Sequence, residues 1–398
     1  MKIVYLTTGL PHYFNLVLSK INAEPGIDLV VVSPSEPSSH VGAGVFLTSE
    51  GANFRSVLLQ EYAIRPFIFS FKGLVSLLMK ERPDVIVLPD HILRGFQFHP
   101  ALMVLRYLLR FRLVLKSIPF LIPDLQASLD EVKALREQGK LRSMIEAGSR
   151  YVAVAARKRR FQMVDAHVVY VDEGKELYGS YGVPSDRIFV TRNSPDTDAL
   201  KDAEQRILAE AAPVRCKRRV LFVGRLVPEK RADLLIRAFR LARGQFHDAE
   251  LVIVGDGPER DSLRDLVRRC SLEHAVRFAG PIYDPVQLGK EFMASYLFVL
   301  PGLGGLSINE AMYYGLAIVC AKADGTERFL VREGVNGAFF KDGDEADLAR
   351  VMIEALSDPD QLRGMGSRSK EIIEKEVNIQ TVVAGYLNAF RSVCSKDR

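Results

Sequence analysis

Short runs of β-branched residues alternate with helical patterns along the whole chain, and this alternation limits the fold more than any other feature. In the first half the predicted strands are Ile3–Leu6, Leu29–Val32, Val57–Leu59, Val85–Leu88, Leu113–Leu115 and Val168–Val171. In the second half they are Val220–Val223, Leu251–Val254, Val276–Phe278, Leu297–Leu300 and Ala317–Cys320. Such alternation indicates βαβ units that pair into parallel sheets. We therefore predict an α/β fold with mostly parallel sheets.

The length and a break in the pattern predict two domains. A chain of 398 residues exceeds the size at which one hydrophobic core stops growing. The pattern is interrupted by a polar, Ala-rich stretch near Lys201–Lys217 and then restarts. We expect a Rossmann-like domain over residues 1–200, a second over 201–380, and a final helix over 381–398 that returns to the first domain.

The composition excludes several classes of protein. Apolar residues make up 48% and charged residues 26%, which is typical of a soluble globular protein. No run approaches the roughly 18 apolar residues of a transmembrane helix, and no secretory signal is recognised. The four cysteines form no CxxC pair, so neither a zinc site nor a disulfide framework is expected. We expect a cytoplasmic protein without a nucleic-acid partner.

The basic residues of the first half are unevenly placed. No acidic residue occurs from His99 to Pro123, where Arg106, Arg110, Arg112 and Lys116 alternate with apolar residues. A second basic cluster follows at Arg157–Arg160. This mixture of basic and apolar residues predicts peripheral attachment to an anionic membrane surface at its inner face. The alternative is that these cations flank a buried strand and only snorkel to the solvent.

Two cations follow the first predicted strand of the second half. Gly224-Arg225-Leu226-Val227-Pro228-Glu229-Lys230 lies where a loop opens a helix, at the carboxyl end of that strand. Ligands of open parallel sheets bind beyond these ends. Arg225 and Lys230 are therefore candidates to hold a diphosphate, and the alternative is a basic loop exposed to solvent.

A glycine-rich loop follows the strand Leu297–Leu300 and leads into a helix that starts near Leu306. Gly305 permits close approach of a ligand, and the first amide groups of the helix, from Leu306 and Ser307, are suited to bind phosphate. Glu310, one turn later, can accept both hydroxyls of a ribose. The alternative is that Glu310 only complements the helix dipole.

These segments together resemble the retaining glycosyltransferases of the GT-B type, the family numbered four. The matching strings are Gly224-Arg225-Leu226-x-x-Glu229-Lys230, Val254-Gly255-Asp256-Gly257-Pro258, Phe278-Ala279-Gly280 and Gly305-Leu306-x-x-x-Glu310-Ala311-Met312-x-x-Gly315. Asn193 and Asp196 are similar to the Asn-Gly-x-Asp of that family at the junction of its domains.

The resemblance implies a GT-B fold of two facing Rossmann-like domains and a UDP- or GDP-sugar donor held by the second. Arg225 and Lys230 would contact the diphosphate, Glu310 the ribose, and the segment from Phe278 the base. It also implies an acceptor on the first domain, retention of configuration, and no requirement for a metal or other cofactor.

Two positions depart from the family pattern. The family has a glutamate near the transferred sugar eight residues before the second glutamate, where this chain has Gly302. After the fifth strand of the first domain the family often has His-Gly, whereas this chain has Lys116-Ser117. Lys116 is either a surface lysine, the favoured interpretation, or a contact to phosphate or sugar.

Four further residues are weaker candidates for the sugar or the acceptor. Gly9 follows the first strand, and its loop is expected to approach the donor or the acceptor. Asp90 and His91 follow the fourth strand and are candidates to activate the acceptor, against a structural role. Glu327 is either a residue near the sugar or an exposed glutamate at the start of a helix.

The sequence thus predicts a retaining glycosyltransferase that moves a sugar onto a lipid-linked or polysaccharide acceptor in cell-envelope glycan assembly. Arg225, Lys230 and Glu310 are the residues expected to carry the reaction. Two alternatives stay open. One is a sugar-nucleotide epimerase or phosphorylase on the same fold, and the other is a catalytically silent subunit that binds a nucleotide sugar, which the glycine at position 302 motivates.

Overall fold

A computed structural model describes residues 1–36, 51–65, 68–119, 122–210, 213–323 and 325–395, without the side chains of residues 12, 13, 64 and 65. The chain divides into two compact units. The first unit comprises Met1–Arg192 with Gln380–Arg398, and the second comprises Asn193–Ile379. The predicted boundary at residues 200 and 201 falls inside a helix of the second unit.

The first unit contains a parallel sheet whose strands are β1 (Lys2–Leu6), β2 (Asp28–Pro34), β3 (Arg55–Leu59), β6 (Val85–Leu88), β7 (Arg112–Lys116), β8 (Ala166–Val169) and β9 (Ile188–Val190). Their order across the sheet is β3-β2-β1-β6-β7-β8-β9. Two further strands, β4 (Glu61–Arg65) and β5 (Ile68–Phe71), form an antiparallel hairpin. The strands β1, β2 and β6 each carry four consecutive buried apolar residues, as expected when helices cover both faces of a parallel sheet.

The helices of the first unit are α1 (His12–Asn22), α2 (Leu74–Glu81), α3 (Asp90–Gln97), α4 (Pro100–Leu109), α5 (Leu125–Glu137), α6 (Leu141–Met163) and α7 (Glu173–Ser180). The final helix of the chain, α16 (Ile379–Ser395), also packs in this unit, where Gly385 contacts the backbone of Thr191.

The second unit repeats the architecture with strands β10 (Arg219–Val223), β11 (Glu250–Val254), β12 (Val276–Gly280), β13 (Leu297–Leu300), β14 (Ala317–Cys320) and β15 (Gly337–Phe339). All neighbouring pairs are parallel, and the order is β12-β11-β10-β13-β14-β15. The order reverses between β10 and β13. At such a reversal the connections leave on opposite faces of the sheet, which creates a crevice beyond the carboxyl ends of the two strands.

The helices of the second unit are α8 (Thr197–Glu210), α9 (Ala232–Gln245), α10 (Arg260–Arg269), α11 (Pro285–Met293), α12 (Leu306–Tyr313), α13 (Thr326–Leu330), α14 (Glu345–Ser357) and α15 (Pro359–Glu376). Asp344 caps α14 by accepting a hydrogen bond from the amide of Asp347, as its position before the helix predicts.

Local signals misplaced two elements. The stretch expected to be a break near Lys201–Lys217 begins inside α8, whose buried residues include Leu200, Ala203 and Ile207 at helical spacing. A proline directly after the glycines of the β11 loop predicts that the next helix begins at Pro258, but α10 begins two residues later, at Arg260. The amide of Glu259 instead bonds to the carbonyl of Leu226, which holds this segment against the neighbouring loop before the helix can start.

One close approach in the second unit depends on a glycine. A Cβ atom on Gly366, in α15, would lie 2.0 Å from the carbonyl oxygen of Gly315, the residue that follows the end of α12. The same helix contains Gly364, which is exposed and would meet nothing within 4 Å. Both glycines lie inside α15, but only at Gly366 would an added methyl group meet neighbouring atoms.

We predict that Gly366→Ala lowers the free energy of unfolding by about 1 to 3 kcal/mol, because the added methyl overpacks the contact with Gly315. The control Gly364→Ala should raise it by roughly 0.5 to 1 kcal/mol, since alanine favours a helix interior. Chemical denaturation of both variants measures the difference. Equal effects at the two positions would mean that α15 does not pack on this turn as described.

Candidate functional site

The predicted site residues of the second unit gather around the carboxyl ends of β10 and β13, where the strand order reverses. The loop after β10 packs on the loop after β11, since the amide of Leu226 donates to the carbonyl of Asp256 at 2.9 Å. The loop after β13 packs on the β10 loop from the other side, since the amide of Leu303 donates to the carbonyl of Glu229 at 2.9 Å. Three loops thus form one continuous surface.

Lys230 joins two of these loops through its side chain. The residue ends a short 3₁₀ turn over Pro228–Lys230, and its ammonium donates to the carbonyl oxygen of Leu303 at 2.7 Å and to that of Gly304. A Cβ atom on Gly305 would lie 3.3 Å from the same nitrogen, and one on Gly224 would lie 3.9 Å from the Lys230 Cδ. The structure therefore brings Lys230, Gly224 and Gly305 together.

Arg225 follows Gly224 directly and is partly buried. In the part of the chain that the structure describes, its guanidinium forms neither a hydrogen bond nor an ion pair with another residue. This situation contrasts with nearby Arg231, whose guanidinium pairs with Asp342 at 2.8 Å. Arg225 thus presents an uncompensated positive charge beside the loop that Lys230 organises.

The amino end of α12 lies at this loop. Gly305 precedes the helix, and no side chain caps it. The amide groups of Leu306 and Ser307 belong to the first turn, where backbone donors have no partner within the helix. Because the positive end of the helix dipole lies here as well, this end is suited to an anion. The ammonium of Lys230 adds a further positive charge.

Glu310 lies one turn into α12. Burial raises the pKa of its carboxyl group from 4.5 to about 7. Burial raises the pKa of Tyr314, which follows one turn later, and the carboxyl group of Glu310 adds to this shift. The preceding residue, Asn309, is fully buried and donates to the carbonyl of Asn193 at 3.0 Å, which fixes this face of the helix. A partly protonated carboxyl group in such a place is suited to hydrogen-bond a polar ligand.

Gly302 shows why this chain lacks the first glutamate of the family pattern. A Cβ atom at this position would lie 2.1 Å from the carbonyl oxygen of Glu229 and 2.7 Å from the carbonyl carbon of Lys230. No side chain fits without moving the backbone of the β10 loop. The loss of the carboxylate is therefore linked to the close contact between the two loops.

Phe278 lies on β12, at the edge of the sheet and two strands from β10. At the usual strand spacing this places it about 10 Å from the β10 loop. The Arg264 guanidinium stands over its ring at 5.7 Å. The carbonyl of Gly280, which ends this strand, accepts from the amide of Gly255 at 2.9 Å and joins β12 to the β11 loop.

Glu327 is not the exposed glutamate at a helix start that one interpretation expected. Its side chain is 1% exposed, and its carboxylate accepts a hydrogen bond from the amide of Gly325 at 3.1 Å. Glu327 lies in the first turn of the short helix α13, and its side chain points inward, against the amino end of the same helix. That interpretation is therefore wrong.

In the first unit, Gly9 follows β1 and Lys116 ends β7, and the strand β6 lies between these two strands in the sheet. Gly9 is buried in a turn that Thr7 holds, since the amide of Gly9 donates to the Thr7 hydroxyl at 3.3 Å. The Nζ atom of Lys116 lies 3.4 Å from the centroid of the Phe14 ring. Burial lowers the pKa of Lys116 from 10.5 to about 7. The favoured interpretation of Lys116 as a surface lysine is therefore wrong.

Asp90 and His91 occupy the first turn of α3, after β6. The carboxylate of Asp90 accepts from Arg94 at 2.7 and 2.9 Å and from Arg160 at 2.9 Å. His91 packs edge-on against Phe69, with ring centroids 6.0 Å apart. Two guanidinium groups thus engage both oxygens of Asp90, an arrangement that indicates a structural role for this carboxylate.

The basic stretch from Arg106 to Lys116 does not present its charges as a membrane-facing surface. The carboxylate of Asp165 pairs with Arg106 at 2.8 Å and with Arg112 at 3.4 Å, and Lys116 stacks on Phe14. Arg110 alone of the four cations is exposed. The sequence suggested a cluster because Asp165 lies about fifty residues away and its pairing was not visible locally.

No helix in the described residues is both long and apolar enough to cross a membrane. No group of three or more His, Cys, Asp or Glu side chains in the described ranges is arranged to hold a metal ion.

Residues 205–372 match the sequence model of the family described as glycosyl transferases group 1. This range covers most of the second unit, including Arg225, Lys230 and Glu310. The second unit is therefore similar to the domain of this family over these residues. The resemblance predicted from the motifs is thereby confirmed.

Curated relatives agree with this assignment. D-inositol 3-phosphate glycosyltransferase of Nocardia farcinica is 32% identical over 215 residues, which cover 50% of this chain and 46% of that protein. N-acetyl-alpha-D-glucosaminyl L-malate synthase of Bacillus anthracis is 22% identical over 268 residues, or 67% of each chain. The chain spans about half the length of the first of these relatives.

Solved structures show the fold of the whole chain. HepE of Anabaena in complex with UDP has a TM-score of 0.68 and 19% identity, and the match covers 98% of this chain and 100% of HepE. The complex of HepE with UDP-glucose has a TM-score of 0.62 and 18% identity, with 97% and 99% covered. At this identity the likeness shows the fold alone, and the predicted GT-B fold is confirmed.

Sequence reasoning missed the backbone groups that organise the site. The carbonyls of Leu303, Gly304 and Glu229 hold Lys230 and the glycine loop in place. Every residue has a backbone carbonyl, so the pattern of side chains in a sequence does not show which carbonyl groups organise a site. The one available signal was the glycine at position 302, which was interpreted as a lost carboxylate and not as a contact between two loops.

The raised pKa of Glu310 predicts a pH dependence of stability. Because the folded protein binds this proton more tightly than the unfolded chain does, the free energy of unfolding should fall as the pH rises from about 4.5 to about 7. Glu310→Gln should flatten this decline. Chemical denaturation across this pH range measures it.

Glu273→Gln is the control, since Glu273 is an exposed carboxyl group of the same unit. This variant should keep the decline of the natural chain. Parallel pH profiles for the natural chain and Glu310→Gln would show that Glu310 is not buried as described.

Proposed function

We propose that this protein is a glycosyltransferase that moves a sugar from a UDP-sugar or GDP-sugar to an acceptor, and that its second unit binds the nucleotide. The proposal rests on the arrangement of charged and backbone groups around Lys230. Its ammonium fixes the glycine loop beside the uncapped amino end of α12, and Arg225 nearby has no partner among the described residues. These groups form a positively charged site that is suited to a diphosphate.

The reaction places new negative charge where these groups lie. When the bond between the sugar and the diphosphate breaks, charge accumulates on the leaving phosphate oxygens. Arg225, Lys230 and the amides of Leu306 and Ser307 stabilise this charge more than that of the intact donor. In this proposal the fixed cations supply the charge stabilisation, so no metal or other cofactor is required. Transfer proceeds with retention of configuration, as the family resemblance implies.

Glu310 is assigned to the ribose of the donor. Its carboxyl group can accept hydrogen bonds from both ribose hydroxyls once it is ionised, and donors that point at a carboxylate favour its charged form. Nucleotide binding should therefore be accompanied by release of a proton near neutral pH. Phe278 and the segment after it are assigned to the base. The structure of HepE with UDP-glucose favours uridine over guanosine as the nucleoside to test first.

The acceptor is assigned to the first unit and, within this proposal, is a lipid-linked or polysaccharide glycan. A small anionic acceptor is a second candidate, because Lys116 stacks on Phe14 at the carboxyl end of β7 without a carboxylate partner in the described chain. The names of two relatives, which refer to inositol 3-phosphate and L-malate, agree with that candidate. Gly9 belongs to the neighbouring loop after β1.

We predict that UDP or UDP-glucose stabilises the protein against heat, by about 2.7 kcal/mol when the ligand is present at one hundred times its dissociation constant. Arg225→Gln should weaken UDP binding on the order of tenfold, because a charged contact to phosphate is lost. The same change should leave the melting temperature without ligand unchanged, since Arg225 has no partner to lose. Differential scanning fluorimetry and calorimetry measure both quantities.

Arg240→Gln serves as the control, because Arg240 is an exposed arginine on α9 of the same unit. It should bind UDP as the natural chain does. Absence of stabilisation by every UDP-, GDP-, ADP- and TDP-sugar would contradict the proposal. Product analysis then separates the alternatives. Transfer releases the nucleoside diphosphate, an epimerase changes the donor without an acceptor, and a silent subunit binds without turnover.

A further inference from the structure

Helix α6 has two distinct faces. One face packs against α5. It carries Arg150, which pairs with Glu131 of α5 at 2.8 Å, and Ser143, which donates to Gln138 beyond the end of α5 at 2.8 Å. The fully buried Ala147 lies on the same side. At about 100° per residue these positions occupy one narrow sector of the helix.

The opposite face of α6 is exposed and apolar. We call it the α6 stripe, and its large members, with their exposed fractions, are Leu141 (75%), Met144 (55%), Ile145 (67%), Tyr151 (51%) and Val152 (66%). Gly148 and Ala155 lie between them and are also exposed. The spacing places all of them on one side, over about 20 Å of helix. Such a contiguous apolar surface is unusual on a monomeric protein and marks an interaction site.

Positive charge surrounds the α6 stripe. Residues 125–163 contain nine Lys or Arg and four Asp or Glu, so the excess equals the net charge of +5 of the whole chain. Exposed cations stand at both ends of the stripe: Lys140 and Arg142 at one, Lys158 and Arg159 at the other. None of these four forms an ion pair with the residues that the structure describes.

The charge decides between two occupants of this surface. In a symmetric dimer each copy would place its positive excess against the same excess on its partner, which opposes association. An anionic lipid surface neutralises the cations and also receives the apolar side chains. We propose that the α6 stripe docks on an anionic lipid surface, with α6 lying in the plane of the interface.

This surface differs from the Arg106–Lys116 stretch and shares only Lys158 and Arg159 with the second basic cluster that the sequence indicated. The cations at Arg106 and Arg112 are neutralised by Asp165, whereas the four cations at the ends of the α6 stripe form no ion pair with the described residues. The proposal also stands apart from the proposed sugar transfer, because it uses no residue of the second unit. Its failure would leave the donor site unaffected.

A single tryptophan tests the proposal on the otherwise natural chain, which contains no tryptophan. Ile145→Trp places the probe on the α6 stripe, and Leu241→Trp places one at an exposed position of α9 in the second unit. With vesicles of phosphatidylcholine and phosphatidylglycerol, the emission of Ile145→Trp should shift to shorter wavelength. Leu241→Trp should show no shift.

Two multiple variants then separate the apolar and the charged contributions in vesicle sedimentation. Leu141→Ser with Ile145→Ser and Val152→Ser should reduce binding at least tenfold, since exposed positions can be changed without loss of the core. Lys140→Gln with Arg142→Gln should reduce binding about fivefold for each cation at low salt. Arg240→Gln with Arg269→Gln, exposed cations of the second unit, should bind as the natural chain does.

The proposal is overturned if the natural chain fails to sediment with anionic vesicles, or binds phosphatidylcholine vesicles equally well. It is also overturned if the natural chain is a dimer in solution that the triple serine variant converts to a monomer. That result would assign the stripe to a second copy of the chain.

Discussion

The ammonium of Lys230, held by the carbonyls of Leu303 and Gly304, is the interaction on which the candidate site depends. It fixes the glycine loop after β13 against the loop after β10, and the backbone bond from Leu303 to Glu229 adds to the same contact. Because the loop is fixed, the amino end of α12 has a defined place beside the two cations. A binding surface that is organised before its ligand arrives loses little entropy on binding.

The same contact explains a departure from the family. Since Gly302 touches the backbone of Glu229, the position has no room for the carboxylate that relatives of the same motif carry. In the proposed site, Lys230, Arg225 and the helix end supply positive charge, and Glu310 supplies a half-buried carboxyl group. In the first unit the corresponding sheet edge contains a half-buried lysine, Lys116, and an aspartate that two arginines already engage. The two units thus have similar architectures but carry different charged groups at these sheet edges.

The fold was largely predictable because burial on both faces of a parallel sheet demands continuous apolar runs, and those runs are local in the sequence. Strands such as Val85–Leu88 and Leu297–Leu300 were predicted to the residue. Short strands at the sheet edges, including β9 and β15, were missed, since three residues carry too little pattern. In the site, the candidate side chains that follow strands could be picked out from the sequence. Contacts between distant segments could not be predicted from it. Two examples are the inward turn of Glu327 and the pairing of Asp165 with Arg106.

The β10 loop and the β13 loop form one surface, and we propose that a nucleoside diphosphate occupies it. Amide hydrogen exchange with and without UDP tests it most directly, because protection is measured segment by segment. The account predicts slower exchange on UDP binding in both the 224–231 and the 301–310 segments, with no comparable change in α14. Slower exchange confined to one of the two segments, or to neither, would contradict it.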